Sequence, residues 1–209
     1  MKRIVIPAAV LAAAGLLVTA CGSTDAADHA TVADHTTPAM ASTSAMPMAS
    51  TPATSPAADH NDQDVMFAQM MIPHHRQAVE MAQLAKNHAA GSRVKELAKK
   101  IEAAQDPEIR TMSDWLTGWG AQVPGEHTTP MDHGMPGMMS SQDMKKLEGL
   151  RGAAFDRAFL TMMIQHHEGA ITMAEQEQAG GIYEPAKQMA ASIISSQSAE
   201  ITAMKRLLR

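Results

Sequence analysis

The chain has 209 residues, enough for one substantial domain with flanking segments. Hydrophobic residues reach 45% but aromatics only 3%, and the apolar mass is Ala, Met, Leu and Ile, which form helices well and strands poorly, so the composition leans all-α. A net charge of −5 without a basic stripe argues against a nucleic-acid partner.

Residues 1–20 carry Lys2 and Arg3, then an apolar run from Ile4 to Val18, then small residues. That is the build of a signal peptide rather than a membrane span. The stretch Leu17-Val18-Thr19-Ala20-Cys21-Gly22 resembles a bacterial lipobox, with Cys21 the lipidated residue; the plainer reading is a cleaved signal with an incidental Cys. The lipobox implies export across the cytoplasmic membrane and a lipid anchor on its outer face, at the cell surface or in the periplasm. Cys21 is the chain's one cysteine, so the anchored protein would have no free thiol. Residues 21–62 follow as a lipid-anchored linker of Ala, Ser, Thr, Pro and Asp with no hydrophobic period, expected to be disordered. His29, His35, His60, Met40, Met46 and Met48 lie in it and read as solvated.

A repeat spaced by 92 residues then begins. Asp64 to Ala82 and Asp156 to Ala174 share ten of nineteen positions, and the same offset aligns Ile101, Gln105, Glu108, Ile109 and Met112 with Ile193, Gln197, Glu200, Ile201 and Met204. One register held over so many positions is an internal duplication. In the first copy Phe67, Met70, Met71, His74, Ala78 and Met81 follow the i, i+3, i+4 rule of an amphipathic helix, which should end near His88. Gly91-Ser92 supply a turn and an N-cap for a second helix that buries Leu97, Ala98, Ile101, Ile109, Met112 and Leu116. In the second copy Gly180-Gly181 make the turn and Pro185 suits a first helical turn. Ser140 with Asp143 caps a short helix to about Leu150. The expected domain, 63–209, is a first hairpin (63–117), a Met/His-rich loop (118–140), and a short helix with the second hairpin (141–209). Two hairpins, each apolar on one face, bury those faces against each other as a four-helix bundle.

The chemistry-bearing residues fall on the buried faces. At about 100° per residue, His74 lies mid-stripe between Met70 and Met81, and His75 lies on the flank near Met71. Met162, Met163, His166, His167 and Met173 repeat the pattern. On the partner helices Gln105, Glu108 and Met112, and again Gln197, Glu200 and Met204, fall inside the stripe, and Glu108, Met112, Glu200 and Met204 join these His and Met residues as candidate metal ligands. A buried carboxylate is expensive unless it is paired or bound; the bland alternative is a Glu–His network that fixes helix register. Pro73 stands where the second copy has Gln165, and either makes the two sites inequivalent or is a tolerated kink. A second signal is the loop Met131-Asp-His-Gly-Met-Pro-Gly-Met-Met139, where Met131, His133, Met135, Met138 and Met139, with His127 just before, have no packing role in a Gly/Pro segment. Thioethers with imidazoles select Cu(I), and silver by the same softness. With nineteen methionines, the rival reading of the stripe is a plastic Met core.

The motif Phe-x-x-Met-Met-Ile-x-His-His-x-x-Ala-x-x-Met-Ala at 67–82 and 159–174, with Gln-x-x-Glu-Ile-x-x-Met at 105–112 and 197–204, resembles the CopM-like family of bacterial metallochaperones. The resemblance runs from Asp64 to Arg209 and implies a ferritin-like four-helix bundle and copper binding outside the cytoplasm. Three functions are therefore weighed: copper capture, buffering or delivery to an unknown partner; a ferritin-like metal-dependent oxidase, cuprous or di-metal; and a structural or partner-binding bundle. The chain offers no Glu-x-x-His in its repeat helices and one inward Glu per copy, too few hard oxygens for a good di-iron site. Binding is thus expected over turnover.

Overall fold

Five helices succeed one another in the computed structural model, which describes residues 59–125 and 135–209. They are α1 (Asp62–His88), α2 (Ser92–Gly118), α3 (Ser141–Gly149), α4 (Gly152–Gly180) and α5 (Glu184–Leu207). The expected signal peptide, Cys21, most of the linker, and the loop residues His127, Met131 and His133 lie outside the described residues.

α1 begins in a capping box. The Asn61 side chain accepts from the Gln63 and Asp64 backbone N–H groups at 2.9 and 3.1 Å, and the Asp64 carboxylate accepts from Asn61 N at 2.6 Å. Asn61 is the cap and Asp62 the first helical residue. Hydrophobic periodicity does not register a cap, whose signal is a single Asx side chain. α1 then runs unbroken through Pro73, as α2 does through Pro107.

The turn from α1 to α2 departs from expectation. Ser92 is the first helical residue rather than the N-cap; Gly91 is the cap and has no side chain to offer. The two backbone donors there are taken by Asp156, from the other copy, which accepts from Ala90 N at 3.0 Å and Gly91 N at 2.8 Å. Asp64 does the same for the opposite turn, accepting from Ile182 N at 3.1 Å and Tyr183 N at 3.0 Å. Asp64 and Asp156 are counterparts in the repeat, and so are the two turns they hold. Each hairpin thus closes the turn of the other, which sets α1 and α4 antiparallel.

α1 with α2 and α4 with α5 form the two hairpins, joined mainly by α1 against α4; α2 and α5 meet only sparingly. This is the expected ferritin-like four-helix bundle of two duplicated hairpins. α3, capped by Ser140 accepting from Asp143 N at 3.1 Å, sets Leu147 into the core beside α1 and α4.

The buried apolar side chains form two clusters rather than one. The first contains Ala78, Met81, Leu97, Ile101, Phe159 and Met163, among others, and the second contains Phe67, Met71, Ile72, Met112, Met173 and Ile193. Both clusters draw on all four long helices. In each of these helices, the residues between the two clusters are the polar ones of the repeat.

Candidate metal centre

Those residues make a belt across the middle of the bundle: His74 and His75 from α1, Gln105 and Glu108 from α2, His166 and His167 from α4, and Gln197 and Glu200 from α5. All four imidazoles are fully buried. Periodicity alone put the second His of each pair at the stripe edge; in the bundle both are inside, because α1 and α4 cover each other's flanks. His74 and His166 face one another at the helix crossing, with ring centroids 3.7 Å apart and planes tilted by 38°.

The outer histidines are held by the partner helix of their own hairpin. His75 Nε2 donates to Glu108 Oε2 at 2.7 Å, and His167 Nε2 to Glu200 Oε2 at 2.6 Å. The glutamates sit at the belt's margin, with side chains 22% and 21% exposed. In the neutral ring this bond leaves Nδ1 as the lone pair. His74 Nε2 donates to the carbonyl of Pro136 at 3.1 Å, which likewise assigns the lone pair to Nδ1, since a carbonyl only accepts. The Nδ1 atoms of His74, His75 and His167, and both ring nitrogens of His166, are buried without a hydrogen-bond partner among the described residues. Gln105 Oε1 and Gln197 Oε1 are buried in the same condition.

Burial holds the central pair neutral. It pushes the His74 imidazole down to about 3, helped by the neighbouring His75, and takes His166 well below the usual range, helped by His74. A neutral imidazole with an exposed lone pair is the form that binds a metal.

The methionines of the repeat flank this belt. Met71 and Met112 share their cluster with Met173, and Met163 and Met204 share theirs with Met81. These trios are counterparts in the duplication, and each takes two thioethers from one copy and one from the other. Met70 and Met162 pack, partly buried, at the edges of the respective clusters. Among the described residues no three His, Cys, Asp or Glu side chains gather as a metal-holding group. Imidazoles combined with thioethers are the ligand chemistry the belt offers.

The described residues between α2 and α3 lie against the belt on one side. Arg76 Nη1 donates to the carbonyls of Pro124 at 2.8 Å and Gly125 at 2.7 Å. Its neighbour Gln77 binds Met139 twice, Nε2 to the carbonyl at 2.9 Å and Oε1 from the N–H at 2.7 Å. The described residues on either side of 126–134 are therefore anchored side by side on α1, over the histidines. Contrary to the expectation that the loop methionines have no packing role, Met139 is buried in the first apolar cluster, because its backbone is clamped on Gln77 beside α1; Met135 and Met138 are partly buried. Pro136-Gly137 presses onto α4 at Gly169, where a Cβ would collide with the Pro136 carbonyl; Gly137 has φ +78° and would itself collide with the α4 backbone if it bore a side chain. Gln77 is Gly169 in the second copy and Arg76 is Glu168, so among the described residues these anchors belong to one face of the belt.

One buried acid escaped the sequence reading. Glu177, fully buried in α4, sits against Asp64 at the α4–α5 turn. Burial, then the hydrogen bond with Asp64, then the Asp64 charge raise it to about 8. Burial also works to raise Asp64, but its bond to Glu177 and the backbone N–H groups of Asn61, Tyr183 and Ile182 outweigh that and leave it below the usual value. The first copy has Ala85 in place of Glu177, so the repeat gave no signal for it; Asp64, shared with Asp156, was the signal available.

The profile of DUF305, a domain of unknown function, matches residues 64–208. No curated protein matches the chain. Among solved structures, a DUF305 protein of Streptomyces coelicolor described as a candidate secreted protein is 34% identical, with a TM-score of 0.65 over 73% of this chain and 94% of that one. A DUF305 fragment from Deinococcus radiodurans is 32% identical, with a TM-score of 0.64 over 71% and 96%. CopM in its Cu(II)-bound form is 34% identical, with a TM-score of 0.62 over 69% and 95%. CopM has also been solved with Cu(I), with silver and without metal.

Proposed function

The chain belongs to the DUF305 family, and on that premise we propose that it is an extracytoplasmic copper-binding protein that captures, buffers or delivers Cu(I) and accepts silver in its place. The observation that carries this reading is the belt: buried imidazoles with unpartnered ring nitrogens, the central two held neutral, lying between two clusters that each hold buried methionines of the repeat. In a purely structural bundle each such nitrogen would cost about 1–3 kcal/mol, with nothing to offset it. CopM, which shares the fold at 34% identity, binds Cu(II), Cu(I) and silver.

His74, His75, His166 and His167 supply nitrogen donors, and Met71, Met112 and Met173 with Met81, Met163 and Met204 supply the soft ones. Met70 and Met162 stand at the edges as further thioethers. Glu108 and Glu200 act as orienting carboxylates rather than ligands, since each already accepts an imidazole N–H and fixes its tautomer. The loop with His127, Met131, His133, Met135, Met138 and Met139 is the point of first capture, because its described flanks are tied beside the belt. Cys21 carries the lipid that keeps the domain at the outer face of the membrane; no helix among the described residues is long and apolar enough to cross it. The di-metal form of the oxidase alternative needs a carboxylate-rich cluster, which the described residues do not assemble.

The test is an anaerobic Cu(I) titration of the mature chain against a competing chelator, beside a His74→Leu/His166→Leu variant. Affinity lower by more than about 100-fold in a variant that keeps its helical circular dichroism supports the belt as the site; losing only a group that orients a ligand costs about 10–100-fold. Equal affinity in both proteins would make the histidines structural and move copper elsewhere.

A further inference from the structure

The duplication provides an internal control for the two ends of the bundle. Because the hairpins are related antiparallel, the end made by the start of α1 and the finish of α2 corresponds to the end made by the start of α4 and the finish of α5. At the first end, the cleft between the finish of α2 and the start of α5 is plugged by rings. Trp115 and Trp119 both pack edge-on against Tyr183, at 5.5 and 5.1 Å, and His60 stacks flat on Trp119 at 4.5 Å. The plugging ring of His60 lies in an acidic stretch, Asp59-His60-Asn61-Asp62.

At the second end the counterpart of Trp115 is Leu207 and that of Tyr183 is Gly91, so the plug is missing. A cleft of about 610 Å³ opens there between α2 and α5, with Leu97, Ala203 and Leu207 as its apolar lining. A second cavity of about 360 Å³ shares Ser92, Arg93 and Leu207 with it and extends it toward α4. Four cations line the pair of cavities: Arg93, Lys100, Arg157 and Arg206. Among the described residues none of the four is in an ion pair. Glu96 lines the cleft too, and Asp156 is committed to the backbone of the turn. The overall charge of −5 thus hides a basic end with an apolar cleft.

We propose that this cleft is a docking site for a partner protein's acidic segment, one that inserts an aromatic or large aliphatic side chain between α2 and α5 while its carboxylates meet Arg93, Lys100, Arg157 and Arg206. The opposite end shows the occupant's chemistry in miniature, a ring within an acidic stretch. The concave, partly apolar shape favours such a segment over a flat anionic surface, which would meet the cations without filling the cleft. The site is remote from the belt and does not depend on metal.

A fluorescein-labelled peptide with one Trp set among Glu residues is titrated with the intact metal-free protein and followed by anisotropy. The expected result is saturable binding that weakens with salt, falls at least about tenfold in Arg93→Glu/Arg206→Glu, and falls similarly when the peptide Trp is Ser. An independent variant, Leu207→Asp, should also reduce binding while keeping the helical circular dichroism. Equal binding of the Trp and Ser peptides reduces the site to bare charge and overturns the proposal, as does no binding up to about 1 mM. Sedimentation of the protein with phosphatidylglycerol vesicles, or self-association of the protein, overturns it in favour of a membrane surface or a second copy if it is lost in Arg93→Glu/Arg206→Glu while the peptide does not bind.

Discussion

His74 and His166 resist protonation where they stand, and this has a consequence for stability. His74 titrates near 3 in the fold against 6.5 when exposed, and His166 also lies well below its exposed value. Between those limits the unfolded chain binds more protons than the native one, so stability is full above about pH 6.5 and is lost as pH falls toward 3. Thermal unfolding of the metal-free protein should therefore show a midpoint that drops between pH 7 and 5. In His74→Leu/His166→Leu the drop should be visibly shallower; parallel curves would refute the assignment. A second expectation concerns the orienting acids. Glu108→Gln/Glu200→Gln should lower Cu(I) affinity by about 10–100-fold without unfolding the bundle, whereas true ligands would cost more. The sequence carried the identity of these residues through the repeat, but not their roles. Whether a Glu binds metal or holds an imidazole depends on which helix faces it, and a helical wheel describes one helix at a time.

The helices themselves were legible because each buries a stripe at helical spacing, and α1 ends at the predicted His88. The turns were not, because their donors are satisfied from the other copy. Ser92 has the composition of a cap, yet Asp156 does the capping from α4. Replacing Asp156 by Ala should cost about 2–3 kcal/mol in urea denaturation, since it strips two backbone N–H groups of a charged acceptor; a loss below about 0.5 kcal/mol would mean water replaces it freely. At the opposite turn Glu177 reverses the pH dependence of the histidines. Its folded value of about 8 stands above the ordinary 4.5, so the stability it brings as a protonated partner of Asp64 is present below about pH 4.5 and is lost as pH rises through 8. Glu177→Gln should match the wild-type protein near pH 5 and exceed it at pH 9, measured by thermal midpoint. A variant that is equally destabilised at both values would show that the carboxyl is needed as such.

For the molecule as a whole, the spacing of the repeat announced a two-fold relation, but not that the copies would share their cores. Met173 completes the trio begun by Met71 and Met112, and Met81 completes that of Met163 and Met204. Two equivalent thioether regions then lie on either side of one belt, and they can be told apart because both tryptophans of the chain belong to one side. Trp115 and Trp119 pack against the cluster of Met71, Met112 and Met173, and among the described residues neither packs against the cluster of Met81, Met163 and Met204. A bound heavy soft ion beside an indole quenches its emission. Silver titrated anaerobically into the protein should therefore quench tryptophan emission for part of the metal bound and bind the remainder silently. Met71→Leu/Met112→Leu/Met173→Leu, which keeps side-chain volume nearly constant, should abolish the quench and leave the silent fraction. Met81→Leu/Met163→Leu/Met204→Leu should keep the quench and remove the silent fraction. If either triple variant removes all binding, the trios and the belt form one shared site, and the duplication built a single centre from two halves.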